Sequence, residues 1–232
     1  MRRHFVHILW GTLIAILGFT SLFFIAVWNG WVGYMPNMEE LSNPIDKFAS
    51  QVYSSDQKLI GTWNQDNNNR IAIDYNGLSP HLVHALVATE DERFYEHSGI
   101  DFIALGRAIV KRGVMRQASA GGGSTITQQL AKQLFSEKAH STMERLLQKP
   151  IEWIIAVRLE RHFTKEEILA MYFNYFDFLH NAVGIKRAAN VYFNKEPRNL
   201  NVTEAALLVG LCKNPSMFNP LRYPERCRQR RN

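Results

Sequence analysis

Cysteine is scarce. The chain of 232 residues has two, Cys212 and Cys227. Their spacing matches no metal motif, so a metal centre built on cysteine is excluded. A buried thiol and an exposed one are expected, and a disulfide between them would require an oxidising compartment. Acidic charge is in the minority: 21 Asp and Glu against 27 Lys and Arg leave a net charge of +6. That balance suits anionic partners such as phospholipid head groups and phosphates. No basic run is interleaved with aromatics, and no zinc-finger or helix-turn-helix signature occurs, so nucleic acid is not an expected partner. Internal repeats and low-complexity tracts are missing as well. The length is enough for an anchor and one globular domain with a real core.

One long hydrophobic run is present. Ile8 to Val27 carries no charge, which is about the 20 residues needed to span a bilayer as a helix. Arg2 and Arg3 precede it and Trp28, Trp31 and Tyr34 follow, the pattern of a cytoplasmic basic flank and an interfacial aromatic belt. The run is too long for a cleaved signal peptide, and no small-x-small site follows it. The expected layout is a cytoplasmic tail (1–7), a transmembrane helix (8–28), a linker with short strands (29–78) and an external domain (79–232).

Within the linker, Met35 to Pro44 is polar. Strand character follows in Gln51-Val52-Tyr53, Lys58-Leu59-Ile60-Gly61 and Arg70-Ile71-Ala72-Ile73, predicting two or three strands between turn signals. From Ser79 the pattern is helical. Ser79-Pro80 starts a helix that Gly99 is expected to end. Capping boxes at Ser141/Glu144, Thr164/Glu167 and Asn201/Glu204 open three more. About eight helices are predicted, with glycine breaks at 121–123 and 184.

Three stretches carry chemistry. The first is Glu90 to Gly99, with four acids in seven positions. On a helix Glu90, Phe94 and His97 would share a face, and the macrodipole makes a helix C-terminus a poor place for acids. Solvated surface charge is the plain alternative. The second is Gly121-Gly122-Gly123-Ser124-Thr125 leading to Gln128, Gln129 and Lys132. The glycines let backbone approach a ligand, and the following helix N-terminus favours anions. Thr125, Gln129 and Lys132 would form one polar face; a flexible loop before an amphipathic helix is the alternative. It is not a P-loop, because the Lys-Ser/Thr pair is missing. The third is Gln148-Lys149-Pro150-Ile151-Glu152-Trp153. Glu152 sits in an otherwise apolar helix, so it is either paired with Lys149 or part of a site. Pro150 should kink that helix.

In this order, these stretches resemble the motifs of glycosyltransferase family 51, the peptidoglycan glycosyltransferase domains of class A penicillin-binding proteins and monofunctional transglycosylases. Lys165 to Asn174 resembles the fourth motif, and Gly184-Ile185 with Tyr192 to Lys195 the fifth. The resemblance runs from about residue 45 to the end. It implies a mainly α, lysozyme-like domain with a small lobe dipping into the membrane, for which Ile109-Val110, Val114-Met115 and Leu134-Phe135 are candidates. It also implies polymerisation of lipid II, with inversion and release of undecaprenyl pyrophosphate. By the motif match Glu90 is the general base, deprotonating the acceptor hydroxyl. Glu152 is the second carboxylate, near the donor pyrophosphate and a divalent cation (Mg or Mn). Lys132, Lys149 and Lys213 match cations neutralising the leaving group. Ser124, Thr125, Gln128 and Gln129 match donor-site contacts, and Asp91, Phe94 and His97 shape the site around Glu90. No organic cofactor is implied. The partners are lipid II and the growing strand, membrane lipids and other cell-wall synthesis proteins.

Several positions depart from the family pattern. Gln148 stands where arginine is usual, Gln133 replaces asparagine, Leu179 replaces a glycine, and Pro150 is unexpected. No Ser-x-x-Lys occurs with the partner motifs of a penicillin-binding active site. A monofunctional enzyme, a truncated product and a fragment all fit. The rival functions are a cell-wall scaffold with a decayed site and a lysozyme-like hydrolase.

Overall fold

The computed structural model describes residues 2–37, 40–41, 50–63, 70–111, 122–136 and 141–232. Helix α1 spans Arg2–Trp28, and its Val6–Trp28 portion is long and apolar enough to cross a membrane. Strands β1 (Ser50–Tyr53) and β2 (Leu59–Trp63) form an antiparallel pair, with Ser50 opposite Trp63 and an irregularity after Val52. The helices that follow are α2 (Pro80–Glu90), α3 (Phe102–Ile109), α4 (Ile126–Phe135), α5 (Thr142–His162), α6 (Lys165–Tyr175), α7 (Ile185–Phe193), α8 (Val202–Lys213) and α9 (Pro224–Arg231). Among the described residues the domain is therefore mainly α, as expected, with eight helices after α1.

The helix starts follow local chemistry. The Ser79 hydroxyl accepts from the His81 N–H, with Pro80 in the first turn. All three expected capping boxes close, at Ser141, Thr164 and Asn201. The core gathers Leu82, Leu86, Ile126, Leu130, Ile155, Leu159, Ile168, Tyr172, Phe173 and Leu208, all fully buried. Helix α4 packs between α5 and α6, and α8 lies against α2 and α9. This places the end of α2 and the start of α4 side by side.

Several expectations are corrected. Among the described residues the sheet has two strands, within the two or three expected, and 70–73 is not one of them. The Asn174 side chain donates to the Ile73 carbonyl (2.8 Å) and accepts from its N–H (3.2 Å). A side chain thus satisfies the backbone groups a neighbouring strand would have met. The helix begun at Pro80 ends at Glu90, not Gly99; residues 92–98 are turns and bends. Glu90, Phe94 and His97 therefore do not share a helix face. Pro150 lies inside α5, which continues on both sides of it. Cys212 and Cys227 are both buried and both free, so neither is the exposed thiol expected. Leu134 and Phe135 are half-buried and pack in part against the core. Val114-Met115, Gly121 and most of the Met35–Pro44 linker's second half lie outside the described residues.

The C-terminal end of α1 is docked on α5. Arg158 donates to the Trp28 carbonyl (3.1 Å) and the Pro36 carbonyl (3.2 Å), and its guanidinium lies 4.3 Å from the Trp28 ring centre. A cation here satisfies carbonyls that a helix end leaves open. Phe24 stacks on Trp153 with ring centres 6.5 Å apart. Gly33, at φ +83°, lies so close to Ile151 that a Cβ would meet its Cδ1 at 2.5 Å.

Candidate active site

Glu90 is the last residue of α2, and its side chain is 8% exposed. One carboxylate oxygen accepts from the Gln129 amide of α4 (3.2 Å), the other from the Arg230 guanidinium of α9 (3.3 Å). The Tyr172 hydroxyl of α6 donates to the Gln129 carbonyl oxygen (3.1 Å), which orients that amide toward Glu90. Burial pushes the Tyr172 phenol well above its ordinary range, so it remains a hydrogen-bond donor. Three helices remote in sequence thus fix one carboxylate.

The segment after Glu90 forms the wall beneath it. The buried Asp91 carboxylate accepts from the Ile126 N–H at the start of α4 (3.0 Å). It also faces His97 Nε2 at 3.0 Å. The Gly99 N–H donates to His97 Nδ1 (3.2 Å). That bond assigns the ring proton to Nε2, which therefore donates to Asp91. The Thr125 hydroxyl donates to the Gly99 carbonyl (2.8 Å), and so does the Gln128 side chain (3.2 Å). Gly99 has φ +92°, and a Cβ there would meet the Ala156 backbone at 2.8 Å. Only glycine allows this approach. Lys165 completes the wall. It donates to the His97 carbonyl (2.8 Å), pairs with Glu160 (2.7 Å) and sits 4.2 Å from the centre of the fully buried Phe94 ring.

These contacts revise the expected roles. Asp91, Phe94, His97, Thr125 and Gln128 come together around Glu90, but their polar atoms hold the wall. The N-terminus of α4 is not an open anion site: Asp91 takes the Ile126 N–H and Thr125 takes the Gln128 N–H. The expected polar face of Thr125, Gln129 and Lys132 is divided too, with Thr125 buried, Gln129 on Glu90 and Lys132 exposed.

A cleft open to solvent is lined by Glu90, Glu92, Arg93, Asp101 and Arg107 and by Gly122, Gly123 and Ser124. Beyond Ser124 the charge turns positive. Lys149 donates to the Ser124 hydroxyl (3.3 Å) and to Glu152 (2.6 Å). Glu152 is fully buried and paired with Lys149, the first of the two alternatives. Its second oxygen has no hydrogen bond; Arg145 lies 3.6 Å away. Although the Lys132 side chain is exposed overall, partial removal of its ammonium from water, followed by the nearby Arg145, holds it below its ordinary range, with Glu152 acting in the opposite sense. Lys213 ends α8 and is exposed; among the described residues no hydrogen bond or ion pair joins it to either carboxylate. Glu152 offers a single carboxylate, so a divalent cation here would need the donor phosphates as further ligands. Among the described residues no three His, Cys, Asp or Glu converge, and the free oxygen of Glu152 faces a guanidinium.

The family model described as "Transglycosylase" matches residues 56–232. The chain belongs to the transglycosylase family. Penicillin-binding protein 1A of Aquifex aeolicus is 38% identical over 226 residues, covering 96% of this chain and 29% of that protein. Penicillin-binding protein 1F of Bacillus subtilis is 42% identical over 164 residues, covering 71% of this chain and 22% of that protein. Penicillin-binding protein 1A of Escherichia coli is 38% identical over 198 residues, covering 85% and 22%. The chain thus spans less than a third of the length of these curated relatives. The contacts of Arg145 with Glu152, of Arg230 with Glu90 and of Lys165 with the wall are ones that sequence reading missed. The basic run 226–231 was the one visible signal for Arg230.

Proposed function

We propose that the chain is a peptidoglycan glycosyltransferase of bacterial cell-wall synthesis that polymerises lipid II into β-1,4-linked glycan. The observation that carries this reading is the Glu90 carboxylate, nearly buried yet lining an open cleft, with Ser124 of the same cleft bonded to Lys149 of a cationic cluster. Glu90 is the general base, accepting the proton of the acceptor 4-hydroxyl as that oxygen attacks the donor anomeric carbon. Attack opposite the leaving group inverts the configuration. Gln129 and Arg230 hold the carboxylate in one orientation, which is the main help an enzyme gives a bimolecular attack. Lys132 and Lys149 offset the charge that develops on departing undecaprenyl pyrophosphate. No step is assigned to a metal ion.

The surroundings suit a lipid-linked substrate. Ile109 and Val110 at the end of α3 are exposed, as are Phe102 and Ile103 at its start; Met143, Leu146 and Leu147 are exposed at the start of α5. Apolar side chains beside a polar cleft mark a surface for partners or membrane. Together with α1 they support a single-pass protein of the bacterial inner membrane. Arg2 and Arg3 would lie inside and the domain outside, by the positive-inside rule.

The test incubates detergent-solubilised protein with labelled lipid II, with and without divalent cation, beside Glu90→Gln. Muramidase-digestible polymer from the wild type and none from the equally folded variant is the expected result. Lipid II untouched by folded wild type would support the scaffold reading, and breakdown of preformed glycan the hydrolase.

A further inference from the structure

On helix α5, Gln148 precedes Lys149, at the place where the resemblance to the family motif implies an arginine. Three residues earlier on the same helix stands Arg145. Positions three apart are neighbours on a helix surface, separated by roughly 4.5 Å along the axis, well within the reach of an arginine side chain. Arg145 is also at i−4 from Lys149 and i−7 from Glu152, so all three project from one face. Its guanidinium lies 3.6 Å from Glu152, on the oxygen that no hydrogen bond satisfies.

The charge balance of this cluster points to a missing anion. Lys149 and Arg145 both approach Glu152, and Lys132 on α4 feels all three. Among the described residues, three cations thus gather on one buried carboxylate. Like charges at i, i+4 disfavour a helix, so local stability does not explain the arrangement. Glu152 is wholly buried, whereas the Arg145 side chain is 41% exposed. One edge of the guanidinium is therefore held by the carboxylate and the rest is open to a ligand. A planar fork of donors of this kind fits the oxygens of a diphosphate.

We propose that Arg145 supplies the guanidinium the chain lacks at position 148, and that with Lys132 and Lys149 it binds the diphosphate of the lipid-linked donor. The assignment rests on the glycosyltransferase reading above. It adds a substrate-binding residue outside the motif positions and accounts for how Gln148 is tolerated.

The test uses the full chain in detergent, with inorganic pyrophosphate titrated calorimetrically and lipid II polymerisation measured in parallel. Arg145→Ala is expected to weaken pyrophosphate binding roughly tenfold or more, the loss of charge-assisted hydrogen bonds. Gln148→Arg placed in the Arg145→Ala background should restore affinity and polymer synthesis to within about threefold of wild type. Arg145→Gln, which keeps the aliphatic stem, gives the same comparison if the alanine variant melts early. Unchanged pyrophosphate affinity in the Arg145 variants overturns the assignment, as does a Gln148→Arg double variant no better than the single one. If wild type polymerises lipid II while the Arg145 variants match it in both assays, only the Arg145 assignment fails. If folded wild type neither polymerises lipid II nor binds pyrophosphate, the glycosyltransferase reading fails and takes the assignment with it.

Discussion

Replacing Lys165 with methionine should loosen the wall beneath Glu90 more than any other single change in it. The Lys165 ammonium donates to the His97 carbonyl at 2.8 Å, pairs with Glu160 at 2.7 Å and rests 4.2 Å from the Phe94 ring centre. Glu160 in turn accepts from the Thr127 hydroxyl at 2.6 Å. One side chain therefore ties α4, α5 and α6 to the segment that follows Glu90. Methionine keeps the stem but leaves Glu160, 5% exposed, without its cation. Removing one member of a buried pair costs about 3–5 kcal/mol. Lys165 is itself 21% exposed, so solvent screening lowers this to about 2–3 kcal/mol. For a domain of this size that corresponds to a fall in melting temperature of roughly 5–10 °C. The assay is thermal unfolding of the detergent-solubilised chain, followed by lipid II polymerisation below the transition. Polymerisation should fall roughly tenfold, since Glu90 would lose its fixed position. Lys165→Met with Glu160→Gln should be more stable than Lys165→Met alone, because no buried charge is stranded. A single variant melting within about 1 °C of wild type, or a double variant no more stable than the single, refutes this account.

Arg230→Ala removes one of two groups holding Glu90 and should lower kcat at least about tenfold with KM little changed; steady-state kinetics on lipid II checks it, and an unchanged kcat would count against the orienting role. Leu179 adopts φ +66°, a left-handed conformation that costs a side-chain-bearing residue about 1–2 kcal/mol. Leu179→Gly, offset by about 0.5–1 kcal/mol of glycine chain entropy, should still melt slightly higher than wild type; a lower melting point would show that Leu179 packing outweighs the strain. The Tyr192 phenol is pushed up to about 12, chiefly by burial and then by Asp177, and it donates to the Phe178 carbonyl. Below pH 10 it is neutral in both states; between about 10 and 12 only the unfolded chain ionises, so stability falls as pH rises through that window. Tyr192→Phe should flatten the slope of melting temperature against pH there, and an identical slope in both proteins would dismiss the contribution.

Much of the architecture was legible because it rests on local chemistry. The charge-free run of α1, the capping boxes at Ser141, Thr164 and Asn201, and the Ser79-Pro80 start each depend on residues within a few positions of one another. Glu90 and Glu152 stood out because acids at a helix C-terminus and among isoleucines are costly without a reason. Leu179 was marked as standing at a glycine position, and its positive φ shows why glycine suits that place.

Partners distant in sequence were not legible. A helix through Gly99 was expected because Phe94 and His97 fall at helical spacing from Glu90. It ends at Glu90 because the buried Asp91 carboxylate takes the Ile126 N–H, 35 residues away. Residues 70–73 are not a strand because Asn174, 101 residues on, satisfies both backbone groups of Ile73. Arg230 reaches Glu90 across 140 residues, and Arg145 became visible only once Glu152 was seen buried with one oxygen unmet. The sequence by itself determined the anchor, the helices and the two carboxylates, since periodicity, capping and charge cost act over a few residues. The tertiary structure decided which groups hold those carboxylates, because a buried charge takes whichever partner the packing of helices brings within reach.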